Sequence, residues 1–382
     1  MRRLVSLAPA LILLAACAGG SDSFLPNATP TRAPAIAFHT PAPSPTPSPT
    51  PTPPPFTALE AVPALTLDDI FGSPSARAAL KLDPAKLRTI IATGDVIPAR
   101  YVDQQIRARG NDFAYPLSGM ADILRQPDLT VINLEAPLIE DCPPHEEGFV
   151  FCGQPGFAGA LADAGVDVAT LENNHIGNYG PEGIDATKDL LTSEGIAWAD
   201  AFTPLVLEVR GLRFAFVAFN GVGGWFDREL ISRQIAAAGE QADVVVAAFH
   251  WGAEYVAIPQ AAPGIANDDP VEIAHLAVDA GADLVLGNHP HWVQGLEVYK
   301  DKLIVYAHGN FILDQMWSRE TTLGVVGRYT FYDTKLVDAE FLPVVIEDYA
   351  RPRPLDGAEA QAVLDGMRQA SISLRDLLAS TP

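Results

Sequence analysis

Asp95, Glu135, Asn174, His175, His250, His289 and His291 stand at or just past the ends of apolar runs, and all are residue types that bind metals or carry protons. The runs cover 89–94, 129–134, 166–171, 244–249 and 284–287. Carboxylates suit hard and borderline divalent ions, imidazole suits zinc, iron and manganese, and an Asn amide oxygen is a tolerable ligand. His175, next to Asn174, has the chemistry to act as an acid beside a metal without occupying it. His289 and His291, two apart after a strand, can turn both rings toward one centre. Each piece alone has an ordinary reading: Gly94-Asp95 as a turn or helix cap, Glu135 as an ion-paired strand end, Asn173-Asn174 as a turn carrying a surface histidine. The set resists such readings, because four of the chain's eight histidines fall at three strand ends.

The elements that must position these residues follow from periodicity. The apolar runs read as buried strands, and segments 122–126, 156–164, 181–194, 228–239 and 269–280 carry a helical period, with Gly165, Gly195, Gly239 and Gly281 as stops. Strand and helix in alternation predict crossover units, and open sheets built from such units gather ligands outside the carboxyl ends of their strands. Residues 205–209 with 212–219, and 295–299 with 303–306, read as hairpins, and 325–332 and 336–346 as two more antiparallel strands. Crossovers mixed with hairpins predict an α+β fold with α/β-like units, two mixed sheets flanked by helices. Residues 357–379 read as a terminal amphipathic helix. No internal repeat and no second domain is evident.

The N-terminus speaks to compartment. Met1-Arg2-Arg3 supplies a positive start and residues 4–14 an apolar stretch too short to span a bilayer. Leu14-Ala15-Ala16-Cys17 resembles a bacterial lipobox, which makes 1–16 a signal peptide and Cys17 the lipidated residue. An ordinary signal peptide cut after a small residue is the alternative. Residues 17–56 contain alternating Pro and small residues and read as a disordered stalk. Its fifteen positions 41–55 favour polyproline II, a spacer about 45 Å long at about 3.1 Å per residue. The expectation is an exported lipoprotein of the bacterial envelope, facing outside the cytoplasm. The formal charge of −22 is spread along the chain without a basic stripe, which argues against a nucleic-acid partner.

Cys142 and Cys152 are the cysteines that remain. In an exported protein such a pair is most simply a disulfide, stabilising by somewhat under about 3 kcal/mol on the chain-entropy model. A zinc site with His145 is the alternative, though no fourth ligand is evident. His39, His145 and His275 read as non-catalytic, and His308 as ambiguous.

The ordered series Gly94-Asp95, Asn133-Leu134-Glu135-Ala136-Pro137, Asn173-Asn174-His175, His250-Trp251-Gly252-Ala253-Glu254-Tyr255, Gly287-Asn288-His289-Pro290-His291 and Gly309-Asn310-Phe311 resembles the CapA family of capsule and poly-γ-glutamate synthesis proteins. That family is similar to the calcineurin-like metallophosphoesterases, so the resemblance implies their four-layer sandwich over 57–355, followed by the terminal helix in 356–382. It also implies one or two divalent ions (Mn, Fe or Zn), with Asp95 on one, Glu135 bridging, Asn174 and His250 completing a site, and His289 and His291 divided between the two. His175 would be the proton donor outside the ligand set. Arg100, Trp251, Glu254 and Tyr255 lie beside ligands and are expected to contact substrate. The chain departs from the phosphoesterase pattern at Ile97, where a histidine is expected, and at Glu135, where an Asp is expected, so one metal site is weaker.

The function so implied is a lipid-anchored, metal-dependent hydrolase of phosphoesterase type in the synthesis or export of an anionic surface polymer. Its partners would be the membrane, the polymer or its precursor, and membrane-bound polymer synthases. A non-catalytic assembly or export factor on the same fold, and a metal-dependent amidase acting on γ-glutamyl or peptidoglycan bonds, are the competing readings. The disulfide expectation is directly testable: unfolded without reductant, the exported chain shows no reactive thiol at Cys142 or Cys152, and two reactive thiols would contradict it.

Overall fold

The computed structural model describes residues 56–72 and 80–380. The signal peptide, Cys17, nearly all of the Pro-rich stalk and His39 lie outside the described residues.

One sheet comprises β1 (Leu87–Val96), β2 (Leu129–Leu134), β3 (Val168–Thr170), β4 (Ala197–Ala199), β11 (Asn310–Ile312), β12 (Leu323–Tyr332), β13 (Lys335–Glu347) and β14 (Arg351–Pro354). Its order is β14-β13-β12-β1-β2-β3-β4, with β11 set against β1. The other comprises β5 (Leu205–Val209), β6 (Leu212–Asn220), β7 (Val244–His250), β8 (Leu284–Asn288), β9 (Leu296–Tyr299) and β10 (Lys302–Val305), in the order β5-β6-β7-β8-β10-β9. Helices are α1 (Leu67–Phe71), α2 (Tyr101–Ala108), α3 (Ala121–Leu124), α4 (Gly156–Asp163), α5 (Gly180–Ser193), α6 (Arg228–Gln241), α7 (Pro270–Asp279) and α8 (Gly357–Ser380).

Side chains alternate across a strand, so a run that is apolar at every position needs cover on both faces. That requirement generates four layers. Ile90 and Ala92 of β1 and Val131 of β2 face Phe214 and Phe216 of β6, Val244 and Val246 of β7 and Leu284 and Leu286 of β8, in a core between the sheets. The intervening residues, Ile91 and Ile132, pack outward with Val102 and Ile106 of α2, Phe157 and Leu161 of α4 and Leu191 of α5. On the far side, Ala215, Val217, Val245 and Ala247 meet Ile231 and Ile235 of α6 and Ile273 and Ala277 of α7. The expected fold class, two mixed sheets flanked by helices, is the one found. Asp227 and Asp269 cap α6 and α7 through the N–H groups of Leu230 and Val271, fixing where those crossovers start.

Strands β1, β2, β3 and β4 run parallel to one another, as do β6, β7, β8 and β10, while hairpin partners β5 and β9 and strand β12 run antiparallel to their neighbours. Helix α8 packs against both β13 and β9, one from each sheet. Among the described residues, no helix is long and apolar enough to cross a membrane.

Three local expectations change. Helix α2 is not evident in the sequence, because it is mostly polar and only Val102, Asp103 and Ile106 are buried. The segment 122–126 contributes only the short α3 (Ala121–Leu124). Gly94 does not turn the chain. Strand β1 continues through it with a register irregularity between Ala92 and Asp95, and a Cβ at Gly94 would sit 2.0 Å from the Gly309 carbonyl oxygen. Glycine is required there because another backbone approaches.

Cys142 and Cys152 are disulfide-bonded with 5.9 Å between Cα atoms, which decides against zinc in that loop. His308 is a satisfied core histidine. Fully buried, it donates Nδ1–H to the Gly287 carbonyl at 3.2 Å and accepts from the Tyr329 hydroxyl at 2.7 Å. Burial lowers its pKa from 6.5 to about 4. The folded chain thus resists the proton that the unfolded chain accepts, and this contribution to stability is present above about pH 6.5 and lost as pH falls toward 4. Between pH 7 and 5, wild type should therefore lose about 2 kcal/mol more unfolding free energy than His308→Gln at matched metal content, and equal losses in denaturant titrations would contradict this.

Candidate metal centre

The parallel arrangement puts Asp95, Glu135, Asn174, His250 and His289 at the carboxyl ends of β1, β2, β3, β7 and β8 or just beyond. Register then brings their neighbours into line. Asn133 pairs with Asp95 across β1 and β2, Asn310 pairs with Asp95 from β11, and Asn288 pairs with His250.

Asn133 is the hub. Its amide nitrogen donates to Asp95 Oδ1 at 2.8 Å and Glu135 Oε2 at 3.3 Å, and lies 3.4 Å from His250 Nδ1. Its own oxygen accepts from Asn173 Nδ2 at 3.1 Å. This contact set joins the ends of β1 and β2 in one sheet to the end of β7 in the other. On the far side of the His250 ring, Nε2 lies 2.7 Å from Asn174 Oδ1 and 3.3 Å from Glu135 Oε1.

Glu135, His250 and His289 each offer a ligand atom within 4.8 Å of the others, all buried. Asp95 and His291 form an adjoining pair, with His291 Nδ1 3.1 Å from Asp95 Oδ2 and 2.9 Å from Asn310 Oδ1. The two groups are in contact, since the His289 ring lies 4.8 Å from that of His250 and 5.9 Å from that of His291.

The electrostatics are those of two carboxylates and three imidazoles buried together. Burial, then the charge of Asp95, pushes the Glu135 carboxyl well up. Burial also opposes ionisation of Asp95, yet the His291 ring beside it wins and holds Asp95 below its ordinary value. The converse holds for His291: burial disfavours its charge, but Asp95 outweighs that and raises it to about 9. Burial lowers His250 to about 4 and, with the charges of His250 and His291, lowers His289 well below the ordinary imidazole value.

The donor set fits a divalent cation. Both ring nitrogens of His289 are buried with no hydrogen-bond partner among the described residues, and the buried Glu135 Oε1 and Asp95 Oδ2 are faced only by the imidazoles of His250 and His291. Buried polar atoms are normally satisfied. A cation among Glu135, His250 and His289 would satisfy one ring nitrogen of His289 and Glu135 Oε1 together, and would favour the ionised form of Glu135. Asn174 reaches this group through His250, and Asp95 and His291 stand beside it as a mutual pair.

The remaining expected residues fall around this centre. His175 is partly buried, and that burial lowers it to about 4; its Nδ1 lies 3.1 Å from Asn178 Oδ1. Arg100 is ion-paired to buried Asp314, lies 4.9 Å over the Phe151 ring, and donates to the Gly148 carbonyl. Glu254 Oε1 stands 3.8 Å from His289 Nε2 on a side chain 38% exposed. The Tyr255 ring lies 6.0 Å from that of His291, and its hydroxyl accepts from Gln315 at 3.3 Å. Trp251 is a correction. It is 1% exposed, stacks on Phe249 at 4.7 Å and donates Nε1–H to the Tyr306 carbonyl, so it is core and does not meet substrate.

Asn133, Asn310 and Asn173 were missed as site residues. A signal existed for Asn133: it precedes Glu135 by two residues, so side-chain alternation places both on one face of the chain. The Asn310 and Asn173 contacts depend on which strands become neighbours, which sequence spacing does not carry.

Residues 89–315 match the family model described as bacterial capsule synthesis protein PGA_cap. A capsule biosynthesis protein CapA of Bacillus anthracis is 28% identical over 301 residues, 71% of this chain and 70% of that one. A PGA biosynthesis protein CapA of Bacillus subtilis (strain 168) is 27% identical over 285 residues, 69% of this chain and 72% of that one. Among solved structures, a hypothetical protein from Thermus thermophilus superposes with a TM-score of 0.45 at 18% identity, covering 67% of this chain and 98% of that one.

The geometry predicts separable effects on metal binding. His289→Ala and His250→Ala should abolish tight binding of manganese or zinc, while Asn133→Ala, which removes only an orienting partner, should weaken it about 10- to 100-fold. Unchanged affinity in His289→Ala, measured by equilibrium dialysis with metal analysis, would contradict the assignment.

Proposed function

The chain belongs to the PGA_cap family of bacterial capsule synthesis proteins, and from that premise we propose that it is a lipid-anchored, metal-dependent hydrolase working outside the cytoplasm on an anionic surface polymer or its precursor, poly-γ-glutamate among the candidates. The observation that carries this reading is the buried His289 ring, unpartnered at both nitrogens beside Glu135 and His250, which a purely structural core would not leave unsatisfied.

Glu135, His250 and His289 would hold one cation, and Asp95 and His291 would offer donors for another. The chemistry such a site would supply is Lewis acidity toward a substrate oxygen. Asn133 fixes the two carboxylates and His250 relative to one another, so the donors need no rearrangement. His175, neutral at rest, would take up a proton from solvent on its open ring nitrogen and hand it to the leaving oxygen. Arg100, oriented by Asp314, supplies fixed positive charge beside His175 and Tyr255 for an anionic substrate. Such local charge is needed, because a chain carrying −22 repels a polyanion at long range. Cys17 anchors the protein by lipid, and the Pro-rich segment holds the catalytic domain off the membrane, near the synthases that deliver the polymer.

Protein purified without an affinity tag should contain divalent metal. Supplied with manganese or zinc, it should hydrolyse a generic phosphodiester or a γ-glutamyl oligomer, and His175→Ala should abolish turnover while keeping the metal. Absence of metal together with no hydrolysis of either substrate would overturn the proposal.

A further inference from the structure

The loop closed by the disulfide reaches His175, at the edge of the metal centre. Phe151, next to Cys152, is 3% exposed and packs in a small cluster with Ile97, Ala99, Ala136 and Leu313. Ile97 and Ala136 follow Asp95 and Glu135 closely in sequence, so this cluster adjoins the buried carboxylates. Ile97, at the position where the phosphoesterase pattern has a histidine, is a wall of it. The Phe151 ring also packs on the His175 imidazole, with centroids 4.4 Å apart and planes tilted by 50°.

Hydrogen bonding fixes more than packing does. The backbone N–H of Phe151 donates to Asn178 at 2.7 Å. A backbone N–H can only donate, so the atom it meets is the amide oxygen of Asn178 and the orientation of that amide is determined. The same oxygen lies 3.1 Å from His175 Nδ1. An amide oxygen only accepts, so Nδ1 carries the proton, and in the neutral ring the lone pair is left on Nε2. The Asn178 N–H closes a turn onto the His175 carbonyl at 3.0 Å, which holds the two residues in register.

We propose that Asn178 is a positioning residue: its side-chain oxygen, pinned by Phe151 of the disulfide-closed loop, locks His175 in the Nδ1–H tautomer and leaves Nε2 as the atom that takes up and hands over a proton. The proposal rests on the reading of His175 as the proton-moving group, and it makes the Cys142–Cys152 disulfide part of the assembly of the site. With the bond intact, Phe151 is held both against the ring and on the Asn178 oxygen. With it broken, both restraints loosen together.

Long-range 1H–15N spectra of the zinc-loaded full chain with 15N-labelled histidine read the tautomer directly, the His175 signals being those lost in His175→Ala. Wild type and Asn178→Asp, which keeps an acceptor oxygen, should show a protonated Nδ1 and a bare Nε2. In Asn178→Leu, and in the paired Cys142→Ser, Cys152→Ser variant, the Nδ1 signal should shift toward the unprotonated type as tautomers mix. A wild-type protein with the proton on Nε2 overturns the proposal even if no variant folds, and so does a wild-type pattern in Asn178→Leu. A wild-type pattern in the paired cysteine variant overturns the part assigned to the loop. The readout is independent of turnover: the predicted tautomer in a protein without hydrolytic activity would remove the hydrolase reading and leave the positioning role standing.

Discussion

Two carboxylates, Asp95 and Glu135, are withdrawn completely from water, and a buried charge persists only where an opposite charge or a donor faces it. The architecture around them meets that constraint in part. Asn133 donates to both, His291 stands against Asp95, and His250 stands against Glu135. What remains is an excess of acceptors and unpartnered nitrogens that a divalent cation completes. Parallel strands in both sheets deliver these groups to one edge, and the core between the sheets brings the two sets of strand ends within hydrogen-bond reach.

Aiming the donors costs stability. His289 and His291 have φ of 98° and 58°, left-handed conformations that each cost a non-glycine residue about 1–3 kcal/mol. Gly94 and Gly287 permit what a side chain would forbid, since a Cβ at either would lie 2.0 Å from the carbonyl oxygen of Gly309 or Tyr306. The approach at Gly94 seats β11 beside Asp95 and brings Asn310 to His291. Strain and close approach thus fall on the strand ends that carry ligands, while the middles of the same strands are regular and apolar.

Much of this was legible in sequence because burial on both faces makes a strand read as an unbroken apolar run, and the polar residue that ends the run marks the sheet edge. Hairpins at β5–β6, β9–β10 and β12–β13 were legible for the same reason, through their turn residues and alternation. Helix α2 was hidden by polar residues that face solvent. The misplacement of Trp251 has a simple cause: adjacent residues of a strand point to opposite faces, so a neighbour of His250 in sequence turns away from the centre and joins Phe249 in the outer core. His308 is ambiguous in sequence because its partners, the Gly287 carbonyl and the Tyr329 hydroxyl, come from distant strands. The amide contacts of Asn173, Asn178 and Asn310 were invisible for that same reason, being written in register and loop closure more than in spacing.

If the unpartnered donors are a metal site, a cation that binds only the folded chain must stabilise it by mass action. Thermal unfolding of metal-stripped protein against manganese concentration tests this most directly. The account predicts a midpoint that climbs with the logarithm of manganese concentration, about 2.7 kcal/mol of added stability at one hundred times the dissociation constant, and no such climb in Glu135→Gln. A wild-type midpoint indifferent to manganese, zinc and iron would contradict it.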